Sequence, residues 1–269
     1  MNREAQHNIK DSLTLPQVLM ENASLYGDSQ TAIREKAYGI WQKYTWADYA
    51  RYVRVTAAGF AALHLRRGEH VCMVVHNHPE WLFSELAAHT LGATTLNLFT
   101  SSVADELAFS IKRIHSPVVV VQDQEQVDKL LEVKEKLSHT QKVVYIDPTG
   151  MTSYADDPWL ISYADLLKLG EKYIEDHPGF IEEEIKKGRP DDAAVMIQTS
   201  GTTGVPKLAM LSHRNLMTMA GQWVEETKIE PGENWLSMSP PAWIVDQMWG
   251  MGVALGGAMC MNFPETAET

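Results

Sequence analysis

The chain has 269 residues, 45% of them hydrophobic and 22% charged, with a formal net charge of −12 from 35 Asp and Glu against 23 Lys and Arg. This composition excludes bulk disorder and supports a real buried core, in one large or two moderate α/β units. The acidic balance, with no dense basic run, sets nucleic acid aside as a partner. The densest charge run, Glu182–Arg189, mixes both signs and reads as a solvated helix end. Two cysteines, Cys72 and Cys260, sit in apolar runs without CxxC or Cys/His spacing, which suits a reducing, cytoplasmic setting. The polar start, MNREAQHNIKDSLTLP, has no apolar segment of the kind a secretory signal needs.

In chain order, Thr45 is a helix cap, and Trp46, Tyr49, Ala50, Val53, Ala57, Phe60 and Ala61 follow helical spacing behind it. HVCMVV (70–75) reads as a buried strand, Pro79 opens a helix to about Leu91, and ATTLNLF returns as a strand. A helix near 103–115 leads to PVVVVQ, a charged helix near 124–137 follows, and KVVYI is the next strand. This alternation predicts a mostly parallel sheet with right-handed crossovers. Residues Asp147–Asp157 read as a loop, and a charged helical passage runs from there to Arg189. PDDAAVMIQ gives another strand ending near Gln198, and Ser212 caps a helix to about Thr227. The uncharged run Gln247–Pro264 has 18 residues, close to membrane-spanning length. Its Gly256–Gly257 pair divides it into a short helix and a short strand instead.

Between the strand at 191–198 and the helix at 213 lies TSGTTGVPK (199–207), which places a glycine- and hydroxyl-rich loop on a predicted strand-to-helix junction. Glycines let backbone N–H groups approach an anion closely. The hydroxyls of Thr199, Ser200, Thr202 and Thr203 add neutral donors, Lys207 adds a point charge, and Pro206 stiffens the exit. The pattern fits polyphosphate. A Walker A loop is excluded because only two residues separate Gly201 from Gly204 and Leu208 follows the lysine; a dinucleotide GxGxxG is absent from the loop.

The stretch MIQTSGTTGVPKLAMLSHRNL (196–216) resembles the phosphate-loop signature of the adenylate-forming (AMP-binding) superfamily: acyl-CoA synthetases, luciferases and peptide-synthetase adenylation domains. Leu208 departs from the glycine that commonly follows the lysine there. YTWADYARYVRVTAAGFAAL, HNHPEWLFSELAAHTLGA, VVVVQDQEQVDKLLEVKEKL and SPPAWIVDQMWG look like the bacterial long-chain fatty-acid–CoA ligase branch. The lengthened passage before the loop, with ISYADLLKLGEKY, favours the same branch. The resemblance implies an α/β fold of mostly parallel sheets flanked by helices. Residues 1–269 would form the N-terminal part of the AMP-binding (adenylation) domain, without its C-terminal part or the C-terminal lid domain.

By resemblance, the activity is that of an acid–thiol ligase. ATP and a fatty acid give an acyl-adenylate and pyrophosphate, and coenzyme A then takes the acyl group. Thr199, Ser200, Gly201, Thr202, Thr203, Gly204 and Lys207 match the ATP phosphate loop, and Thr199 also matches a hydroxyl that helps hold Mg²⁺. Trp243 lies where the family places an aromatic residue or histidine at the acyl-pocket entrance; the alternative is a core tryptophan on a helix shared with Trp249. His76 and His78 invite a metal reading, but their spacing before Pro79, with no third ligand evident, favours a turn. His213 is expected either near phosphate or at a helix cap.

The family's aromatic-Gly-x-Thr-Glu run, which would bring a Mg²⁺-binding glutamate, does not occur in the 269 residues. The expectation is therefore a chain that carries the phosphate loop and one wall of the acyl pocket, inactive on its own. The alternative is a truncated, non-catalytic chain that binds polyphosphate or pairs with a partner. A sheet cut short predicts an unpaired edge at the apolar segment Met248–Phe263. Peripheral contact with a membrane is compatible with a lipid substrate, and no transmembrane anchor is visible in the sequence.

Overall fold

The computed structural model describes residues 12–199 and 207–265. It contains a seven-stranded sheet and a four-stranded sheet. The larger sheet has the order β7-β6-β5-β3-β4-β8-β9, with β3 (His70–Val74), β4 (Thr94–Asn97), β5 (Val118–Val121), β6 (Lys142–Tyr145), β7 (Leu160–Ser162), β8 (Ala193–Thr199) and β9 (Lys207–Ser212). Every pair in it is parallel except β8 with β9. The smaller sheet has the order β10-β11-β1-β2, from β1 (Thr31–Ala37), β2 (Ile40–Thr45), β10 (Asn234–Leu236) and β11 (Cys260–Phe263).

The helices begin where side-chain caps are available. The first, α1 (Leu15–Tyr26), opens on a capping box between Thr14 and Gln17, and α2 (Trp46–Ala62) on one between Thr45 and Asp48. Helices α3 (Pro79–Thr90), α4 (Ala104–Arg113) and α5 (Gln124–Glu132) are the crossovers between parallel strands. Two more, α6 (Tyr163–Asp176) and α7 (Phe180–Lys187), fill the charged passage before β8. Ser212 caps α8 (His213–Thr227) through the N–H of Asn215, at the residue the sequence pointed to.

The seven-stranded sheet is buried on both faces, which its four consecutive valines already suggest. Val118 and Val120 face a larger core shared with Phe60, Phe83, Leu86, Met261 and Phe263. Val119 and Val121 face a second core under α4 and α5, with Leu107, Ile111, Val127 and Leu130. The larger core lies between the two sheets and fixes one against the other.

Two expectations are corrected. The hydroxyl-rich loop does not run from strand to helix: β9 intervenes and pairs antiparallel with β8, with Thr199 opposite Lys207. KLAMLS reads as a loop exit only while a helical crossover is expected; a return hairpin needs no crossover. The segment Met248–Phe263 is also not at a sheet edge. Its strand β11 lies between β10 and β1, and β1 comes from the other end of the chain. That long-range parallel partner is invisible to local periodicity.

Helices α2 and α6 cross at glycines. A Cβ on Gly170 would stand 2.0 Å from the Val55 carbonyl oxygen, and one on Gly59 would stand 2.7 Å from that of Leu166. Gly170→Ala is therefore expected to force the helices apart, costing about 1–3 kcal/mol as overpacking does. A lowered urea midpoint at unchanged m would register it; an unchanged midpoint would mean that the crossing tolerates a methyl group.

Candidate functional site

Strands β3, β4 and β8 run parallel, so their carboxyl ends share one rim of the sheet, the position where open α/β sheets bind ligands. Thr199 ends β8, and its hydroxyl donates to the Lys207 carbonyl oxygen at 3.3 Å. The ladder thus brings together the two ends of the hydroxyl-rich loop. Ser200, Gly201, Thr202, Thr203 and Gly204 lie outside the described residues. The Lys207 side chain is exposed and enters no ion pair with the described residues, so its charge is open to an anion. The Thr199 hydroxyl spends its proton on the Lys207 carbonyl, which leaves oxygen lone pairs. That donor fits Mg²⁺, which takes one or two protein oxygens beside substrate phosphates and water.

Trp243 stands on a turn after β10 and is 52% exposed. Its ring meets Phe99, which follows β4, edge to face at 6.4 Å. The alternative of a core tryptophan grouped with Trp249 is not what the structure has. Trp249 packs with Trp223 at 4.3 Å and Trp235 at 5.4 Å, and Trp243 is in neither pair.

What holds the Trp243 turn is a buried polar frame. A π-helix (Asp246–Val253) follows it and continues into α9 (Ala254–Gly256). Interruptions of this kind occur frequently at functional sites. Asp246, fully buried, accepts from Asn77 Nδ2 and from Ser237 Oγ at 2.7 Å, while Asn77 also donates to the Ser239 carbonyl at 2.7 Å. A Cβ at Gly250 would come within 3.1 Å of Asp246 Oδ1, so glycine makes room for the carboxylate. Gln247 donates to the Pro241 carbonyl at 2.9 Å and to Glu85 at 3.1 Å. Glu85, on α3 and fully buried, also accepts from Trp81, Thr95 and Asn97. Burial pushes both carboxyls up to about 6, against the donors that hold them down. Glu85, Asn77, Asp246 and Gln247 were not read from sequence as site residues. The available signal was Asp246, the last charged residue before the uncharged run.

The histidines separate into different roles. The backbone N–H of His76 donates to Gln122 Oε1 at 3.1 Å, and its ring is outside any three-ligand cluster. His78 Nδ1 lies 3.0 Å from Glu35 Oε1, and Glu80 completes the one set of three ligand-type side chains within 4.8 Å among the described residues. His213 is buried, and the cap of its own helix is Ser212 rather than His213. Its Nδ1 accepts from the Leu15 N–H at 3.3 Å, satisfying a first-turn amide of α1 instead. Burial pushes His213 down to about 3.

Two sheets that enclose a common core, with a hydroxyl-rich hairpin and an aromatic pair on one rim, define an adenylate-forming type of α/β domain. The chain belongs to the AMP-binding enzyme family, whose profile matches residues 20–269. It is similar to the long-chain-fatty-acid–CoA ligase ACSBG1 of Bos taurus, 28% identical over 263 residues, which is 95% of this chain and 35% of that protein. It is similar also to ACSBG2 of Gallus gallus, 30% identical over 204 residues, 76% of this chain and 26% of that one. The chain thus matches about a quarter to a third of the length of these curated relatives. Among solved structures, the anthranilate CoA ligase AuaEII in complex with anthranoyl-AMP matches with a TM-score of 0.79 at 17% identity, over 96% of this chain and 46% of that one. A Rhodopseudomonas palustris CGA009 protein assigned as a long-chain-fatty-acid CoA ligase matches with a TM-score of 0.76 at 21% identity, over 94% and 57%. At these identities the structural likeness is one of fold.

Proposed function

We propose that this chain is the N-terminal part of the adenylation domain of a long-chain fatty-acid–CoA ligase. The single observation that carries the reading is the β8–β9 hairpin, which sets Thr199 and Lys207 together on the rim that Trp243 and Phe99 share. Backbone N–H groups and hydroxyls from Thr199 to Gly204, with the Lys207 ammonium, would meet the negative charge that grows on the phosphate oxygens during adenylation. Mg²⁺, held through Thr199 and the phosphates, would supply further charge neutralisation. Trp243 and Phe99 would flank the entrance to an apolar acyl site and orient the acyl chain there. Coenzyme A would accept the acyl group in the second step.

The remainder of the adenylation domain and the lid domain are assigned to sequence beyond these residues, so turnover belongs to the complete protein. The relatives' names favour fatty acid over other carboxylates. Two free, buried cysteines agree with a cytoplasmic protein. No helix among the described residues is long and apolar enough to cross a membrane.

The test is ATP-dependent acyl-CoA formation by the complete protein across a fatty-acid series, with Lys207→Ala alongside. Removal of one such transition-state contact is expected to lower kcat by about 10²-fold. The 269-residue chain alone is expected not to form acyl-CoA, and at most to bind polyphosphate weakly. Robust turnover by the isolated chain, or inactivity of the complete protein on every fatty acid, would overturn the respective half of the reading.

A further inference from the structure

His78 occupies the cap position of α3, yet its side chain makes no capping hydrogen bond to that helix. It turns to the smaller sheet instead, where its Nδ1 lies 3.0 Å from Glu35 Oε1 on β1, 43 residues away in sequence. Glu80, in the first turn of α3, comes to the same point. One ligand-type atom each from Glu35, His78 and Glu80 lies within 4.8 Å of the other two. The three converge from two elements rather than from one acidic run, so the spacing of His76 and His78 alone offered no third ligand.

The charge at this point is unbalanced. Among the described residues, neither Glu35 nor Glu80 pairs with a lysine or arginine, and His78 is the one cation-forming group that meets them. Asp147 adds a further negative charge within electrostatic reach of His78. A simple ion pair needs one carboxylate for one imidazole; here two face it, and the Glu35 side chain is only 15% exposed. The second oxygen of Glu35 is itself oriented. The Tyr44 hydroxyl donates to Oε2 at 3.3 Å, and ring contacts with Tyr52 at 5.8 Å and Phe83 at 5.7 Å fix Tyr44. Carboxylate ligands of metals are held by outer donors of this kind. The His78 side chain is 39% exposed, which leaves a path from solvent.

We infer that Glu35, His78 and Glu80 bind a divalent transition-metal ion, zinc fitting best, and that the ion pins β1 to the start of α3. Imidazole with carboxylates suits zinc, whereas magnesium and calcium prefer all-oxygen sets. Bonds of about 2.0–2.1 Å place ligand atoms about 3.4 Å apart around a tetrahedral ion, so small side-chain rotations close the set and water takes the fourth position. His78 adjoins Asn77, which holds the Trp243 turn through Asp246 and the Ser239 carbonyl, so the pin would stiffen the base of that turn. The site uses none of the phosphate-loop residues, and the inference does not rest on the ligase reading.

The experiment is zinc titration of the untagged complete protein, without nucleotide, in competition with a chromophoric zinc chelator. Wild type is expected to withhold one equivalent from the chelator. Glu35→Gln and Glu80→Gln should each lose it, and Tyr44→Phe, which keeps the ring contacts, should bind about tenfold more weakly. Zinc should raise the thermal midpoint of wild type and leave that of Glu80→Gln unchanged. X-ray absorption at the zinc edge of the wild-type complex should show nitrogen and oxygen ligands with one imidazole, a result that stands even if a variant folds poorly. No withheld equivalent, its retention in either glutamine variant (as binding to the exposed His115–His139 ring pair would give), a midpoint indifferent to zinc, or sulfur among the ligands would each overturn the inference.

Discussion

Replacing Glu85 with alanine is expected to lower the unfolding free energy by about 3–5 kcal/mol, because it strips the acceptor from four buried neutral donors at once. Glu85 accepts four hydrogen bonds: from Trp81 Nε1 at 2.5 Å, Thr95 Oγ1 at 2.6 Å, Asn97 Nδ2 at 3.0 Å and Gln247 Nε2 at 3.1 Å. Alanine would leave those donors in a site closed to bulk water, each unmet group costing about 1–3 kcal/mol before any water enters the gap. Glutamine keeps the shape and one acceptor oxygen, but its amide turns N–H groups on donors. Glu85→Gln should fall between alanine and wild type. The same carboxylate joins α3 to β4 and to the π-helix, so its loss also loosens the frame beneath Trp243. Urea unfolding at neutral pH checks the ranking; an alanine variant within about 1 kcal/mol of wild type would mean that water replaces the carboxylate freely.

The parallel sheet was legible because its signal is local. The buried strands at Val71–Val74 and Val118–Val121, and the caps at Thr45 and Ser212, need only a few neighbours each to be recognised. The split of the uncharged run at Gly256–Gly257 was legible for the same reason: the helical part ends at Gly256 and β11 begins at Cys260. The second sheet was not legible. Its centre joins β1 to β11 across more than 200 residues, with Ile33 opposite Met261, and only tertiary pairing reveals this. The buried frame of Glu85, Asn77, Asp246 and Gln247 is assembled from three separate segments. Apart from Asp246, which stands just before the uncharged run, none of its members has a local pattern that distinguishes it from an ordinary surface polar residue.

Acid should act on this protein through a contest between buried histidines and buried carboxyls. His213 and His89 pack edge to face at 5.1 Å; burial, with each ring disfavouring charge on the other, holds His89 well below its ordinary range and burial holds His213 down to about 3. Both stay neutral in the folded chain while the unfolded chain protonates near 6.5. Their contribution is complete above that pH and is lost as pH falls toward 3, on the order of 1 kcal/mol per pH unit for each proton. Glu85 and Asp246 have the opposite sign. Their folded values near 6 exceed the ordinary 4.5 and 3.8, so the folded state takes up their protons first as pH falls from about 6 to 4. The two effects nearly cancel across that window. Stability is expected to form a shelf between about pH 6 and 4 and to drop steeply below it, where Glu85 and Asp246 are protonated in both states and the histidines act together with carboxylates that partners hold low, such as Asp48 and Glu184. Two variants separate the contributions. Glu85→Gln removes one opposing proton and should turn the shelf into a slope. His213→Gln, whose amide oxygen can still accept from the Leu15 N–H, should flatten the drop below pH 4. Denaturant midpoints measured from pH 7 to 3 would decide it: a wild-type curve that declines steadily from pH 6.5, unchanged by Glu85→Gln, would show that the carboxyls are already ionised in the folded core.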